Sequence, residues 1–410
     1  MKSEDRKVTF ESLLRDFLVY ILPIKKLPKR LIKRLYGSPP NFIFLVHPRN
    51  KEEIYKVSPF LKNIKLFIPE KLFMKLISFC PFYVVSTAEW NNELYGWIIS
   101  TSMLPEEMFS SADKISASVE KIIKFLRKFS HNSMYVGLAA WWPIVTNNGL
   151  LFRRMVKDED KIIITNGHCA TLISIYLSIN KICRLANLEF NDLSLLIIGI
   201  GRMGFAVAET FNGKVHSIGI IDKNEVRLKV AKEKLEKKTN HSAIKTYLIN
   251  NKENLENLIN LLDEYAIWVC TTSSTDFIIK DVNALKGCII IDDSRPEAFP
   301  RFYSTERYAV VLEGGLIKID GITVDSDFGF GKQDNVFGCM AEAFMLALDK
   351  GNVLRPTLGE IDYSNFKNML NFCRIHGISE GEFKSGQVKI TDDFLIKIIK
   401  NKYLPSRANE

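Results

Sequence analysis

The chain has 410 residues, 47% apolar and 25% charged, the composition of an ordinary globular protein with room for two or three domains. Its seven cysteines, at 80, 169, 183, 270, 288, 339 and 373, include no C-x-x-C pair, which argues against a disulfide framework or a structural zinc site and suits a reducing cytoplasm. The net charge of +9 favours acidic partners, but no aromatic-basic stacking motif accompanies it, so nucleic acid is not expected.

Residues 1–40 read as a basic amphipathic arm. The apolar run Phe17 to Leu22 precedes Lys25, Lys26, Lys29, Arg30, Lys33 and Arg34, interleaved with Leu27, Leu31 and Ile32. Residues 17–36 therefore suit peripheral contact with an anionic membrane surface, or a solvated arm on its own domain. Pro23 and Pro28 break any continuous helix. No stretch reaches the ~18 uninterrupted apolar residues of a spanning helix, and the N-terminus does not read as a secretory signal. The expected location is cytoplasmic, peripheral to a membrane at most. After the linker Gly37-Ser38-Pro39-Pro40, a strand is predicted over Phe42–Val46 and a helix over Lys51 to Phe60. A mixed region to about 110 follows. Apolar residues at helical spacing (Ile115, Val119, Ile122, Ile123, Leu126) then predict a helix over Ala112 to Phe129. The motif Gly137 to Val145 closes a first α/β domain, expected over 41–160 as the substrate domain. A helix over Ala170 to Leu188 leads into the next strand.

From Leu195 the pattern is regular: strands at 195–199, 216–221, 266–270, 288–292 and 308–312, and helices at 203–211, 224–237 and 253–263. Such alternation predicts a Rossmann-type doubly wound parallel sheet over 161–360, with a C-terminal helical segment and tail over 361–410. Its first turn is Gly199-Ile200-Gly201-Arg202-Met203-Gly204, a G-x-G-x-x-G between strand and helix. Gly199 permits the tight turn, Gly201 lets backbone approach a pyrophosphate, and Gly204 lets helix and strand pack closely. Asp222 lies 23 residues after Gly199, at the end of the second strand, where an acid meets a ribose. Arg202, Met203, Lys223, Thr271 and Thr272 complete the candidate cofactor-binding set, and Arg227 is nearby. Asp292-Asp293-Ser294 ends a further strand on the ligand-binding edge.

Two constellations could act on a substrate. Phe328 to Asn335 is a Gly-rich loop that leads to Cys339 at the start of a strong helix, Ala341 to Leu348. Helix N-termini lower thiol pKa values, and the thiolate is the nucleophile. These residues alone leave both a nucleophile and an inert core cysteine open. Thr165-Asn166-Gly167-His168-Cys169-Ala170 opens the helix before the Gly-rich strand, with His168 a candidate general acid or orienting donor.

Taken together these motifs resemble the long-chain acyl-[acyl-carrier-protein] reductases, which form fatty aldehydes. The similarity runs from about Phe42 to Ser379. It is carried by Phe42 to His47, Leu104-Pro105-Glu106-Glu107-Met108, Gly137-Leu138-Ala139-Ala140, Asn166 to Ala170 (N-x-H-x-A), Gly314-Gly315-Leu316-Ile317 and Phe337 to Ala343 (F-x-C-x-A-E-A). The resemblance implies that Cys339 attacks an acyl thioester, supplied by an acyl carrier protein or as acyl-CoA, and that hydride from NADPH releases an aldehyde. His168 and Thr165 are then candidates to stabilise the oxyanion. The chain departs from the family in its G-I-G-R-M-G loop, in Pro143 and in its first forty residues. Lys223 stands near the place of the family's NADPH-binding basic residue, whereas Asp222 alone favours NADH. The alternatives are a dehydrogenase of an amino or hydroxy acid without covalent catalysis, or a non-catalytic nucleotide- or lipid-binding Rossmann protein.

Overall fold

The computed structural model describes residues 38–48, 82–130, 133–239, 241–249, 264–273, 285–325 and 334–403, with a few isolated positions between them. The basic arm, the helices expected over 51–60 and 253–263, Cys80 and residues 328–333 lie outside the described residues, save single positions.

The chain forms two compact units, residues 1–170 with 319–377, and residues 171–318 with 378–410. This differs from the boundaries expected from sequence. The first unit runs to 170 rather than 160, and it takes up 319–377, of which 319–360 was expected in the Rossmann domain and 361–377 in the C-terminal segment. Cys339 therefore belongs to the first unit. The physical reason is a long-range strand pairing: Ile322–Val324 lies antiparallel on the strand Phe82–Trp90, with Ile322 opposite Trp90.

The first unit contains β1 (Phe42–Val46), β2 (Phe82–Trp90), β3 (Leu94–Thr101), β4 (Met134–Leu138) and β5 (Ile162–Thr165). Their order is Ile322–Val324, then β2-β3-β1-β4-β5. β3, β1, β4 and β5 run parallel, so their carboxyl ends share one edge. β1 is a continuous apolar run rather than an alternating one, because it is central and Phe42 to Leu45 are buried. β2 and β3 form a hairpin that the sequence reading left as a mixed region. Asn91 and Asn92 both take positive φ, 50° and 57°, and the Glu93 N–H donates to the Trp90 carbonyl at 2.9 Å. That is a type I′ turn, for which asparagine is favoured. Helix α1 (Ala112–Leu126) buries Ile115, Val119, Ile122, Ile123 and Leu126, the stripe its spacing predicts. The Ser111 side chain caps it by accepting the Lys114 N–H at 3.4 Å.

Helix α2 (His168–Ala186) carries the change from the first unit to the second. It is long and apolar enough to cross a membrane by length and composition, yet 67% of the relevant window is buried within the protein, as for a core helix. It stops where Asn187 adopts φ +54°, a left-handed C-terminal residue.

The second unit contains β6 (Ser194–Ile198), β7 (Ser217–Asp222), β8 (Ala243–Leu248), β9 (Ile267–Cys270), β10 (Cys288–Asp292), β11 (Tyr303–Ser304) and β12 (Ala309–Glu313). Their spatial order is β8-β7-β6-β9-β10-β12-β11. All pairs are parallel except β11 with β12. Every residue of β6, β9 and β10 is buried, as expected of interior strands covered on both faces. β8 was not anticipated. It is the edge strand, with Ala243, Lys245 and Thr246 exposed, and so carries no apolar run.

Candidate functional site

The glycine-rich turn leaves β6 and opens α3 (Arg202–Phe211). Gly199 takes φ +89°, and its N–H donates to the Ile221 carbonyl at 2.8 Å. An added Cβ there would stand 3.1 Å from the Thr272 backbone, so glycine is required on both counts. At Gly204 a Cβ would overlap the Gly199 carbonyl oxygen and come within 2.9 Å of Thr271 Oγ1. This is the close helix–strand approach for which the third glycine is needed. At Gly201 a Cβ would meet nothing within 4 Å. The backbone at Gly201 is thus open on the side where a pyrophosphate would lie, and the turn fits a dinucleotide. The Thr271 hydroxyl donates to the Gly199 carbonyl at 3.0 Å and ties β9 to the turn. The six parallel strands from β8 to β12, numbered along the chain without the antiparallel β11, lie in the order 3-2-1-4-5-6. The second unit is a Rossmann domain.

Asp222 stands at the end of β7, as its spacing predicts, but both its oxygens already hold backbone amides. Oδ2 accepts the Ile200 N–H at 2.8 Å, and Oδ1 accepts the Asn224 N–H at 2.9 Å. The carboxylate therefore braces the glycine turn against the strand end. Arg202, Lys223 and Arg227 are exposed, Lys223 and Arg227 around the start of α4 (Glu225–Lys238). Met203 and Thr272 are half-buried.

In the first unit, helix α5 (Gly338–Asp349) begins at the residue before Cys339, and its N-cap Phe337 offers no side-chain acceptor. Two glycines seat its first turn at the carboxyl edge of the sheet. A Cβ on Gly137, in β4, would lie 2.7 Å from the Cys339 carbonyl oxygen. A Cβ on Gly167, just beyond β5, would run into the Cα and Cβ of Cys339, and Gly167 has φ +75°. Replacing Gly167 with alanine is expected to push Cys339 off its seat. Thiol alkylation in the folded variant should slow several-fold or more, read by timed mass spectrometry. An unchanged alkylation rate would show that the seat is dispensable.

Cys339 is half-buried, while the other five described cysteines are buried. Burial pushes the thiols of Cys183 and Cys373 up to about 12, and it pushes Cys169 and Cys270 well above the usual thiol range. The thiolate is the reactive form, so those four are poor nucleophiles at neutral pH. His168 is half-buried at the first position of α2, and its N–H donates to Asn166 Oδ1 at 3.0 Å. Gly167, between them, brings His168 and Cys339 to one locality.

Thr165 has another role than the oxyanion contact expected from sequence. It is fully buried, and its hydroxyl donates to Glu342 Oε1. The same oxygen of Thr165 accepts the N–H of Thr357 at 3.1 Å and that of Gly167 at 3.4 Å. Glu342, one turn after Cys339, is also fully buried. Its Oε2 accepts the Ala170 N–H at 3.0 Å in the first turn of α2, and its Oε1 accepts the Thr357 N–H at 3.1 Å. The carboxylate thus caps α2 from another helix. Sequence reasoning placed Glu342 in a motif without assigning it a task; a carboxylate in an otherwise apolar helix was the available signal. His47, at the end of β1, has Nδ1 3.0 Å from its neighbour's carbonyl at Pro48, while Nε2 accepts the Trp141 N–H at 3.2 Å. That pair of contacts requires a neutral ring held in place, which suits a structural role.

No family model and no curated protein matches the chain. Among solved structures it is similar to L-tryptophan dehydrogenase from Nostoc punctiforme (9% identity, 91% of each chain covered, TM-score 0.36). It is also similar to shikimate 5-dehydrogenase from Listeria monocytogenes in complex with shikimate and NAD (12% identity, 84% of this chain and 99% of that one, TM-score 0.36). A third is the nucleotide-binding domain of glutamyl-tRNA reductase from Thermoplasma volcanium (19% identity, 34% of this chain and 84% of that one, TM-score 0.25). These scores are low, and the Rossmann assignment stands on the strand order of the chain itself.

Proposed function

We propose that the protein is an NAD(P)H-dependent oxidoreductase that reduces a long-chain acyl thioester to an aldehyde through an acyl-enzyme on Cys339. The observation that supports this most directly is the half-exposed Cys339, seated on Gly137 and Gly167 at a helix start, in a chain that also carries a complete glycine turn. Gly199, Gly201 and Gly204, with Arg202 and Lys223 near the phosphates, would hold the dinucleotide. When bound, a reduced nicotinamide supplies the hydride.

Cys339 thiolate attacks the thioester carbonyl carbon, a C–S bond forms, and the donor thiolate leaves with its electron pair. The acyl group then sits on Sγ as a new thioester. After hydride addition to that carbon, the oxyanion re-forms the carbonyl, the bond to Sγ breaks, and aldehyde and Cys339 thiolate separate. His168, next in sequence to the glycine on which Cys339 sits, would donate to the oxyanion, while Thr165 and Glu342 hold the turn that carries it. The net reaction consumes one proton, taken up by the donor thiol. The positive net charge suits an acidic carrier protein as donor, with acyl-CoA as the alternative.

Intact mass spectrometry tests this. Incubation with a long-chain acyl thioester, without nicotinamide, should add one acyl mass to the wild type and none to Cys339→Ala. Addition of NADPH or NADH should discharge the adduct as aldehyde. Aldehyde formation by the variant should fall at least about 10³-fold. Absence of an adduct from both carrier-protein and coenzyme A donors would remove Cys339 as nucleophile and leave a dehydrogenase without covalent catalysis.

A further inference from the structure

Asp293 follows β10 at the carboxyl edge of the Rossmann sheet, and its surroundings are shaped for a group that is not yet accounted for. Its N–H donates to the Cys270 carbonyl at 2.9 Å, which continues the β9 ladder and fixes its position. Across the edge, beyond β12, come Gly314 and Gly315. A Cβ on Gly314 would lie 2.8 Å from the Asp293 nitrogen, and one on Gly315 would lie 2.6 Å from Asp293 Oδ1. Gly315 thus leaves room beside the carboxyl, and Gly314 beside the backbone that carries it. The residue keeps partial access to solvent. Its carboxyl accepts no hydrogen bond from the described residues.

The neighbouring acid behaves differently. Asp292 is fully buried and accepts the N–H groups of Ser294 at 3.0 Å, Ala298 at 3.1 Å and Phe299 at 3.2 Å. It is a structural cap for the loop. Asp293 is left with a carboxyl that the fold positions but does not use.

A dinucleotide lies across the carboxyl ends of a doubly wound sheet with one nucleotide over each half. Asp222 ends β7, in the half formed by β6, β7 and β8, which takes the adenosine. The half formed by β9, β10 and β12 then takes the nicotinamide nucleoside, and Asp293 directly follows its middle strand. We propose that Asp293 faces the nicotinamide and distinguishes its redox states, the ionised carboxyl favouring the cationic oxidised ring and the protonated carboxyl the neutral reduced ring. This inference rests on the proposed use of NAD(P)H.

The electrostatics supply the range in which this discrimination operates. Burial pushes the Asp293 carboxyl up to about 7, with the Asp292 charge adding to the rise and the Arg295 guanidinium opposing it. The other groups on the packed elements are already engaged. On β9 the Cys270 thiol accepts the Ser294 hydroxyl at 3.1 Å. On β12, Glu313 pairs with Arg301 at 3.6 Å and with Lys384 at 3.2 Å. Arg295 donates to the Ser294 carbonyl at 2.7 Å. Above pH 7 Asp293 is charged, so oxidised cofactor should bind more tightly. Below pH 7 it takes a proton from solvent and that advantage is lost.

The test measures dissociation constants of the full-length protein for NADPH and NADP⁺, and for NADH and NAD⁺, between pH 6 and 8. Reduced cofactor is followed by its fluorescence and oxidised cofactor by competition. The ratio of reduced to oxidised dissociation constants cancels any titration of the ribose 2′-phosphate. It should rise about tenfold from pH 6 to pH 8 in the wild type and stay flat in Asp293→Asn. ADP-ribose, which lacks nicotinamide, should bind with the same affinity to both proteins. A flat wild-type ratio, or an Asp293→Asn ratio that still rises, overturns the role of Asp293 while leaving cofactor use standing. Failure to bind any nicotinamide nucleotide overturns both. The wild-type profile decides the matter even if the variant does not fold.

Discussion

Replacing Glu342 with alanine is expected to destabilise the first unit by about 3–5 kcal/mol, since it empties a fully buried position and removes an acceptor shared by three donors. The Glu342 carboxylate accepts the Ala170 N–H, the Thr357 N–H and the Thr165 hydroxyl, and the residue is fully buried. Alanine empties this buried position and takes the side-chain acceptor from the Ala170 N–H, while the Thr357 N–H keeps only Thr165 Oγ1 at 3.1 Å and the Thr165 hydroxyl only the Thr357 carbonyl at 3.3 Å. Glutamine keeps the volume but sets its own N–H₂ against at least one of those donors, so about 1–3 kcal/mol should still be lost. Urea unfolding followed by circular dichroism reads both values. A loss below about 1 kcal/mol for the alanine variant would mean that the site closes over the gap and that the remaining acceptors suffice. The effect should extend to chemistry in the glutamine variant, because the same carboxylate joins the helix of Cys339 to the turn that carries His168.

The glycine turn yields the second large effect, and here two substitutions part company. Gly204→Ala places a methyl group on the Gly199 carbonyl oxygen, a backbone atom that cannot rotate away. The turn must shift, and nicotinamide nucleotide affinity should fall at least about 10²-fold, with about 1–3 kcal/mol of stability lost. Gly201→Ala meets no atom within 4 Å, so its melting temperature should match that of the wild type. Its methyl group nevertheless occupies the approach of the pyrophosphate, and affinity should fall about tenfold or more. Fluorescence titration with NADPH or NADH, beside a thermal melt, separates the cases. Wild-type affinity in Gly201→Ala would show that phosphate does not pass this backbone.

Much of the Rossmann unit was legible because its signals are local. β6, the glycine turn, α3 and Asp222 follow one another within a single βαβ stretch, and the interior strands are apolar throughout. β8 escaped because an edge strand faces water at Lys245 and Thr246 and so loses that pattern. The β2–β3 hairpin carried its own cue, Asn91-Asn92 between two strand-like runs, which was passed over in an irregular stretch. The assignment of 319–377 could not be read locally, since it depends on Ile322–Val324 pairing with a strand more than two hundred residues earlier. The candidate site shows the same limit. Cys339 and His168 stood out by residue type and motif, but the tasks of Thr165 and Glu342 appear only in a contact between residues 177 positions apart. The pair Asp292-Asp293 was visible at a strand end, while only the backbone amides that Asp292 accepts separate a cap from an available carboxyl.

Residues 171–318 of the Rossmann unit stand in sequence between the two segments of the first unit, and this order also governs events during synthesis. A ribosome delivers β1 to β5 early, but Ile322–Val324 and the helix that begins beside Cys339 emerge only after β12. Until then β2 is an open edge that offers unpaired backbone groups to any passing strand. The grooves at Gly137 and Gly167 are likewise unfilled. In an unfinished chain Cys339 has therefore not yet been made, and it takes its seat on Gly137 and Gly167 only once the strands of the Rossmann sheet have left the ribosome.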